Sequence, residues 1–258
     1  MSEIKLERSP PLAWVTFNRP TRRNAISTAM WQRLPQLAEA ISSDLQIRVA
    51  LLRGAGNEAF SAGADIDEMQ RNRTDEAAMR RMQDGVQVGQ RAWSRVPQPT
   101  IAMIDGACAG GGCGLALACD LRVATPRSFF MIPPARLGLV YSLADTQRLV
   151  TVVGSARAKE MLFTGRRIAA SEALTIGLVN AVVPADELLP QTTALAQAIA
   201  EQSQSSVRAA KRIVDLIGAG VHEETAESRA LYDAAFSSAD FRAGTEAFLA
   251  KRKPEFDR

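Results

Sequence analysis

Histidine is almost missing from these 258 residues. The one present, His222, lies between Val221 and Glu223 and reads as a surface or cap residue at a helix start. It is far in sequence from the glycine-rich runs, which speaks against a Ser-His-Asp triad or a histidine general base, and a single histidine cannot form a zinc site of several histidines. Cysteine is scarce too. Cys108, Cys113 and Cys119 are odd in number and show no Cys-x-x-Cys spacing. That pattern speaks against a disulfide framework or a zinc ribbon and predicts buried thiols in a reducing compartment. No metal is expected. No apolar run reaches the ~18 residues a membrane span needs. The opening Met1-Ser2-Glu3-Ile4-Lys5-Leu6-Glu7-Arg8 carries neither an apolar signal core nor an Arg/Ser-rich leader, so a soluble, cytoplasmic protein with no membrane partner is expected. Charge of one sign is lacking as well: 31 basic against 28 acidic residues leave +3. So small an excess gives no footprint for nucleic acid. Arg71, Arg73, Arg80 and Arg81 travel with Asp75 and Glu76, as a solvated helix face would.

What is present is ample apolar content, 47% of residues, enough for one large core. The first half alternates strands and helices. Ala13 to Phe17 reads as a strand closed by Asn18-Arg19-Pro20. Met30, Leu34, Leu37, Ile41 and Leu45 follow at helical spacing, with Pro35 marking a kink. Strand 48–53 comes next, then a helix marked by Met79, Met82, Val86, Trp93 and Val96 and ended by Pro97 and Pro99. A strand at Ile101, a short helix over 115–118, strands at 121–124 and 129–132, and a helix over 145–153 leading to Gly154 complete this half. From about residue 185 the pattern is wholly helical, with candidates at 188–200, 205–217, 223–236 and 238–251. The spacing predicts an α/β core over 1–195 and a helical region over 196–258, without internal repeats or long linkers.

Two runs carry the chemistry. Phe60-Ser61-Ala62-Gly63-Ala64-Asp65-Ile66 and Asp105-Gly106-Ala107-Cys108-Ala109-Gly110-Gly111-Gly112-Cys113-Gly114 each follow a β-rich segment. No Lys-Ser or Lys-Thr follows the glycines, which excludes a phosphate loop. Leu115 stands where a dinucleotide fingerprint needs its last glycine. Backbone this bare leaves peptide N–H groups open to a ligand. Two such groups from separate turns can hold one oxygen as it becomes negative.

These runs, in order with Asn18-Arg19-Pro20…Arg23-Asn24-Ala25, Thr175-Ile176-Gly177-Leu178-Val179-Asn180 and the stretch from Ala247 to Pro254, resemble the crotonase family, the enoyl-CoA hydratase/isomerase superfamily. The likeness covers nearly the whole chain. It implies ββα turns wound into a spiral, a helical C-terminal region that trimerises, and a homotrimer or dimer of trimers. It implies an acyl-CoA thioester as substrate, with coenzyme A entering only as part of it and no separate cofactor. It places the two oxyanion N–H groups on Ala64 and Gly111. It places CoA contacts at Arg23, Ala25, Ala62, Asp65 and Ile66, and at Phe248 and Lys251, which often serve a neighbouring subunit.

The resemblance also shows what is missing. The two glutamates of the family's hydratases fall on Gly114 and Pro134, neither of which can move a proton. The run Leu137-Gly138-Leu139-Val140-Tyr141-Ser142-Leu143 is similar to that of methylmalonyl-CoA decarboxylase-like members, which makes Tyr141 a candidate proton donor. Those members can carry a histidine where this chain has Ala64. Asp145 reads as a helix-dipole residue or as a base, while Asp67 and Glu68 are expected to face solvent. The readings open at this point are an enolate-forming enzyme without the standard two-glutamate hydration, a decarboxylase, and a catalytically silent acyl-CoA-binding protein. An RNA-binding relative has only scattered arginines in its favour.

Overall fold

The computed structural model describes residues 2–256; positions 1 and 257–258, the outer ends of the two anticipated parts, lie outside the described residues. A hairpin opens the chain, Ile4–Ser9 (β1) pairing antiparallel with Leu12–Phe17 (β2). Thr28–Ser42 (α1) follows. The chain then winds in turns of two strands and a helical segment. The first turn is Val49–Gly54 (β3), Ala59–Ser61 (β4), Ile66–Arg71 (α2) and Glu76–Ser94 (α3). The second is Thr100–Ile104 (β5), Ala107–Ala109 (β6) and Gly111–Leu117 (α4). The third is Leu121–Ala124 (β7), Phe129–Met131 (β8), a 3₁₀ turn over Pro134–Leu137, and Leu143–Thr164 (α5), which breaks at Gly154. Ile168–Ala169 (β9), Ala170–Thr175 (α6) and Ala181–Val182 (β10) lead out of the core.

Each turn sends its first strand to one sheet and its second to another. The six-stranded sheet runs β1-β2-β3-β5-β7-β10 and the four-stranded sheet β4-β6-β8-β9. Strands β3, β5 and β7 pair in parallel, as do β4, β6 and β8. Stacked parallel turns of this kind make the anticipated α/β spiral. Strand β3 is apolar along its buried length because both its faces are covered, as parallel strands require. Helices Leu188–Ala200 (α7), Gln204–Gly218 (α8), Ala226–Ser237 (α9) and Ala239–Leu249 (α10) form the expected helical C-terminal region. Among the described residues, no helix is long and apolar enough to cross a membrane.

Helices α1 and α3 pack face to face beside the site. Trp31 is fully buried between them, and a side chain at Gly89 would lie 2.9 Å from the Trp31 carbonyl oxygen. That carbonyl is the one Pro35 leaves without its helical N–H, since proline has none to give. Pro35 therefore sits inside α1 without ending it.

Several expectations change. Leu45 lies beyond α1 and is exposed, because the helix closes at Ser43. The glycine runs are not turns alone: each begins with a three-residue strand, β4 or β6, too short and small-residued for periodicity to reveal. Helix α4 starts at Gly111, four residues before the expected start, because tertiary packing overrides the poor helix propensity of its glycines. His222 is exposed in a loop before the Thr225 cap of α9 rather than at the helix start.

Candidate active site

Strands β4 and β6 lie side by side and parallel, with Ser61 opposite Cys108. The segments leaving their C-terminal ends are therefore neighbours, and this brings Ala64 and Gly111 together. The approach is close. A Cβ on Gly63, which has φ of +96°, would lie 3.3 Å from the Gly111 amide nitrogen and 2.8 Å from the Ala109 carbonyl oxygen. A Cβ on Gly111 would lie 3.8 Å from the Ala64 amide nitrogen and 3.0 Å from the Trp31 ring.

The backbone around Ala64 is tied down on both sides. Ile26 N–H donates to the Gly63 carbonyl at 2.7 Å, and Asp65 N–H donates to the Ile26 carbonyl at 3.2 Å. The Asp65 side chain caps α2 by accepting from Glu68 N–H at 3.1 Å and pairs with Arg19 at 2.8 Å. Burial alone would raise the Asp65 carboxyl, but the Glu68 N–H and Arg19 outweigh it and hold it below its ordinary range. Gly111 is the first residue of α4, where an amide has no intrahelical acceptor. Among the described residues, neither the Ala64 nor the Gly111 N–H donates a hydrogen bond within the chain.

Both residues line a cleft of about 510 Å³. Ala62 and Ile66 join them, as do Tyr141 and Asp145. Met69, Met79, Met82 and Val86 furnish apolar wall. Among the described residues, Asp145 is the one charged side chain on the lining. Pro134, which by resemblance stands at the position of the family's second hydratase glutamate, also lines the cleft and brings no titratable group.

Tyr141 hydroxyl donates to the Gly110 carbonyl at 3.3 Å, directly beside the second amide. Burial, then the neighbouring Cys113 and Asp145, push its ionisation well above the ordinary phenol value, so the hydroxyl keeps its proton. Asp145 lies in the first turn of α5, where Ser142 caps the helix. Its carboxylate accepts from Ser142 Oγ at 2.7 Å and from Arg148 Nη1 at 3.2 Å. Burial raises its carboxyl above the ordinary value, against the pull of Ser142 and Arg148. A raised carboxyl lies nearer the pH at which a general base works best.

Gly114 explains how these groups meet. A Cβ there would overlap the Gln90 amide and would lie 2.9 Å from the Tyr141 hydroxyl and 3.0 Å from Asp145 Oδ1. The space a side chain on α4 would fill is thus taken by groups from α3, α5 and the segment before α5. Sequence reasoning missed Gln90, Ser142, Arg148 and Trp31. Gln90 had a signal, because a glutamine four residues after Val86 and three before Trp93 interrupts the apolar stripe of α3.

Five of the expected contacts stand apart from this cleft lining. Arg23 is exposed with left-handed backbone and faces Glu58 at 3.8 Å. The Ala25 carbonyl accepts from Arg19 at 2.7 Å. The Asp65 carboxylate is committed to its cap and to Arg19. Phe248 and Lys251 lie exposed at the end of α10. Asp67 is exposed beside Arg22, as expected, whereas Glu68 is half-buried and accepts from Thr28 N–H at 2.9 Å.

Known proteins are similar to this chain along nearly its whole length. The family model described as enoyl-CoA hydratase/isomerase matches residues 7–258. The short-chain-enoyl-CoA hydratase of Clostridium acetobutylicum is 34% identical over 261 residues, covering 99% of this chain and 97% of its own. The 2,3-dehydroadipyl-CoA hydratase of Escherichia coli is 34% identical over 260 residues, covering 99% of each. The crystal structure of an enoyl-CoA hydratase/carnithine racemase from Magnetospirillum magneticum superposes with a TM-score of 0.93 at 35% identity, covering all of this chain and 96% of that one. With one apolar cleft behind two free amides and likeness from end to end, the chain belongs to the enoyl-CoA hydratase/isomerase, or crotonase, family.

Proposed function

We propose that this protein forms and quenches the enolate of an acyl-CoA thioester, using one carboxylate in place of the family's two glutamates. The thioester oxygen accepts from the Ala64 and Gly111 N–H groups. Asp145 takes the proton from the α-carbon, the C–H electron pair moves into the enolate, and its negative charge rests on the held oxygen. The proton then returns to the α-carbon or to a carbon further along the acyl chain. Two preorganised donors are worth most where water is excluded, and removing one typically costs ~2.7–4 kcal/mol. Coenzyme A enters as part of the substrate. Arg23, Ala25, Ala62, Asp65 and Ile66 would meet it along the first glycine turn, Asp65 by its backbone, and Phe248 and Lys251 from a neighbouring subunit.

The observation that carries this reading is the position of Asp145. Among the described residues it is the only charged group on the cleft lining, and its Oδ1 stands where a side chain at Gly114 would project. A decarboxylase reading rests on the Tyr141 hydroxyl as proton donor. It is less favoured, because the lining offers no cation to an acyl carboxylate and sets Asp145 against it.

The test is α-proton exchange. Saturated, 2-enoyl and 3-enoyl thioesters of coenzyme A are incubated in D2O and followed by mass spectrometry, with methylmalonyl-CoA run beside them. Deuterium uptake or double-bond migration that disappears in Asp145→Asn is expected. Loss of CO2 from methylmalonyl-CoA that survives Asp145→Asn would move the assignment to the decarboxylase. Tight binding of every thioester with no turnover would leave a silent binding protein.

A further inference from the structure

Asp145 is not held by its own helix alone. Gln90 reaches it from α3 and is buried. With its amide nitrogen turned toward the carboxylate, Gln90 donates to Oδ1 at 2.8 Å and to Oδ2 at 3.0 Å. The opposite orientation would set the amide oxygen against two carboxylate oxygens, so hydrogen-bond chemistry selects this one. Both carboxylate oxygens are thereby engaged from outside α5. Arg148, the other partner, is steadied from α3 as well, donating to Ser94 Oγ at 3.1 Å.

We propose that Gln90 is the positioning residue of this site: its amide, passing beside Gly114 where any side chain would block it, fixes the direction of the Asp145 carboxylate. The inference rests on the reading of Asp145 as the proton-moving group. Glycine at 114 and glutamine at 90 then form one device. The glycine gives up a carboxylate on α4, and the room it leaves admits the amide that orients a carboxylate on α5. A Cβ at 114 cannot coexist with the amide as placed.

The groups around this point set the sign of the expected effect. Arg148 faces Asp145 from the same helix, and Tyr141 faces it from the preceding segment. Cys113 on α4 and Cys108 on β6 lie behind Tyr141. Helix α3 brings only the uncharged Gln90 and Ser94. An amide N–H favours the ionised carboxylate. Removing it leaves burial less opposed, so the carboxyl must titrate at higher pH.

The experiment follows the Asp145 carboxyl by 13C NMR in the wild type, Gln90→Met and Gly114→Ala. The α-proton exchange of a saturated acyl-CoA is recorded across the same pH range. Methionine keeps the length of glutamine without the donor. Alanine at 114 displaces the amide from the other side and guards against a folding failure in the first variant. Both variants are expected to move the carboxyl midpoint upward by about one pH unit, and the acid limb of exchange should move with it. An unchanged midpoint in both folded variants overturns the proposal, whatever happens to the rate. If the midpoint moves and the exchange limb does not, Gln90 positions the carboxylate and the assignment of Asp145 as the base is what fails.

Discussion

Three residues divide the work at the site, and their substitutions should have different signatures. Asp145→Asn keeps the shape of the side chain and removes the carboxylate proposed as the base. It should slow α-proton exchange by ~10²–10⁴-fold with little change in acyl-CoA affinity, as general-base losses do. Tyr141→Phe keeps the ring and removes a hydroxyl that donates to the Gly110 carbonyl. A much smaller loss of rate is expected there if Asp145 moves the proton, and a loss as large as that of Asp145→Asn would favour Tyr141 as the donor. Gly114→Glu restores the family's carboxylate in sequence but not in function. Its Cβ would overlap the Gln90 amide and crowd the Tyr141 hydroxyl, and its charge would stand beside Asp145. Steady-state turnover should fall, and a gain would mark the protein as a weakened hydratase. At this scale the sequence was partly legible. The bare backbone at Ala64 and Gly111 and the absence of glutamates could be read directly from residue types. Which way Tyr141 and Asp145 point could not, since that depends on the start of α5 and on a glutamine one helix away.

At the scale of elements, the site depends on how α1, α2 and α3 are held. Asp65 ties the start of α2 to Arg19, and the Glu68 N–H and Arg19 hold its carboxyl below its ordinary range. A depressed carboxyl stabilises the fold above its unfolded value and loses that contribution as pH falls through its folded value. Asp65→Asn keeps an oxygen to cap α2 but loses the charged hydrogen bond to Arg19, so it should cost about 2 kcal/mol near neutrality. In denaturant melts the advantage of the wild type should hold down through the ordinary carboxyl range and fade only at lower pH, where the depressed Asp65 carboxyl takes up its proton. Trp31 fills the space between α1, α3 and the Gly111 turn, and its indole nitrogen is buried without a partner. Trp31→Ala should cost about 3–5 kcal/mol. Trp31→Phe should cost clearly less, because it gives up ring area but no hydrogen bond. Comparable losses for both would mean that the nitrogen is paired in solution. Helices with a long apolar stripe, such as α3, were legible from their spacing. Strands β4 and β6 were not, because three residues of alanine, serine, cysteine and one phenylalanine carry no period, and pairing across chain turns decides their conformation.

At the scale of the whole molecule, the helical C-terminal region leaves large apolar side chains in the open. Tyr232, Phe236, Phe241 and Phe248 are all about half exposed or more, and the rings of Tyr232, Phe236 and Phe241 pack in a row, edge-on or tilted, with centroids 5.1 and 5.6 Å apart. Apolar area of this kind is normally covered by a partner. A homotrimer or dimer of trimers is the expected assembly, and light scattering should return three or six times the chain mass. A stable monomer at micromolar concentration would overturn it. The ββα winding that carries the site has a further consequence. Hydrogen-bonded strands sit about 4.8 Å apart whatever their sequence. Because Ala64 and Gly111 leave from neighbouring strands of one sheet, the gap between their amides is gauged by the sheet rather than by any side chain. Mutation can then exchange the reactive groups around that gap, dropping a carboxylate at 114 and bringing one in from 145, while the gauge itself stays fixed. Side chains around the cleft can therefore be exchanged without moving the two amides apart.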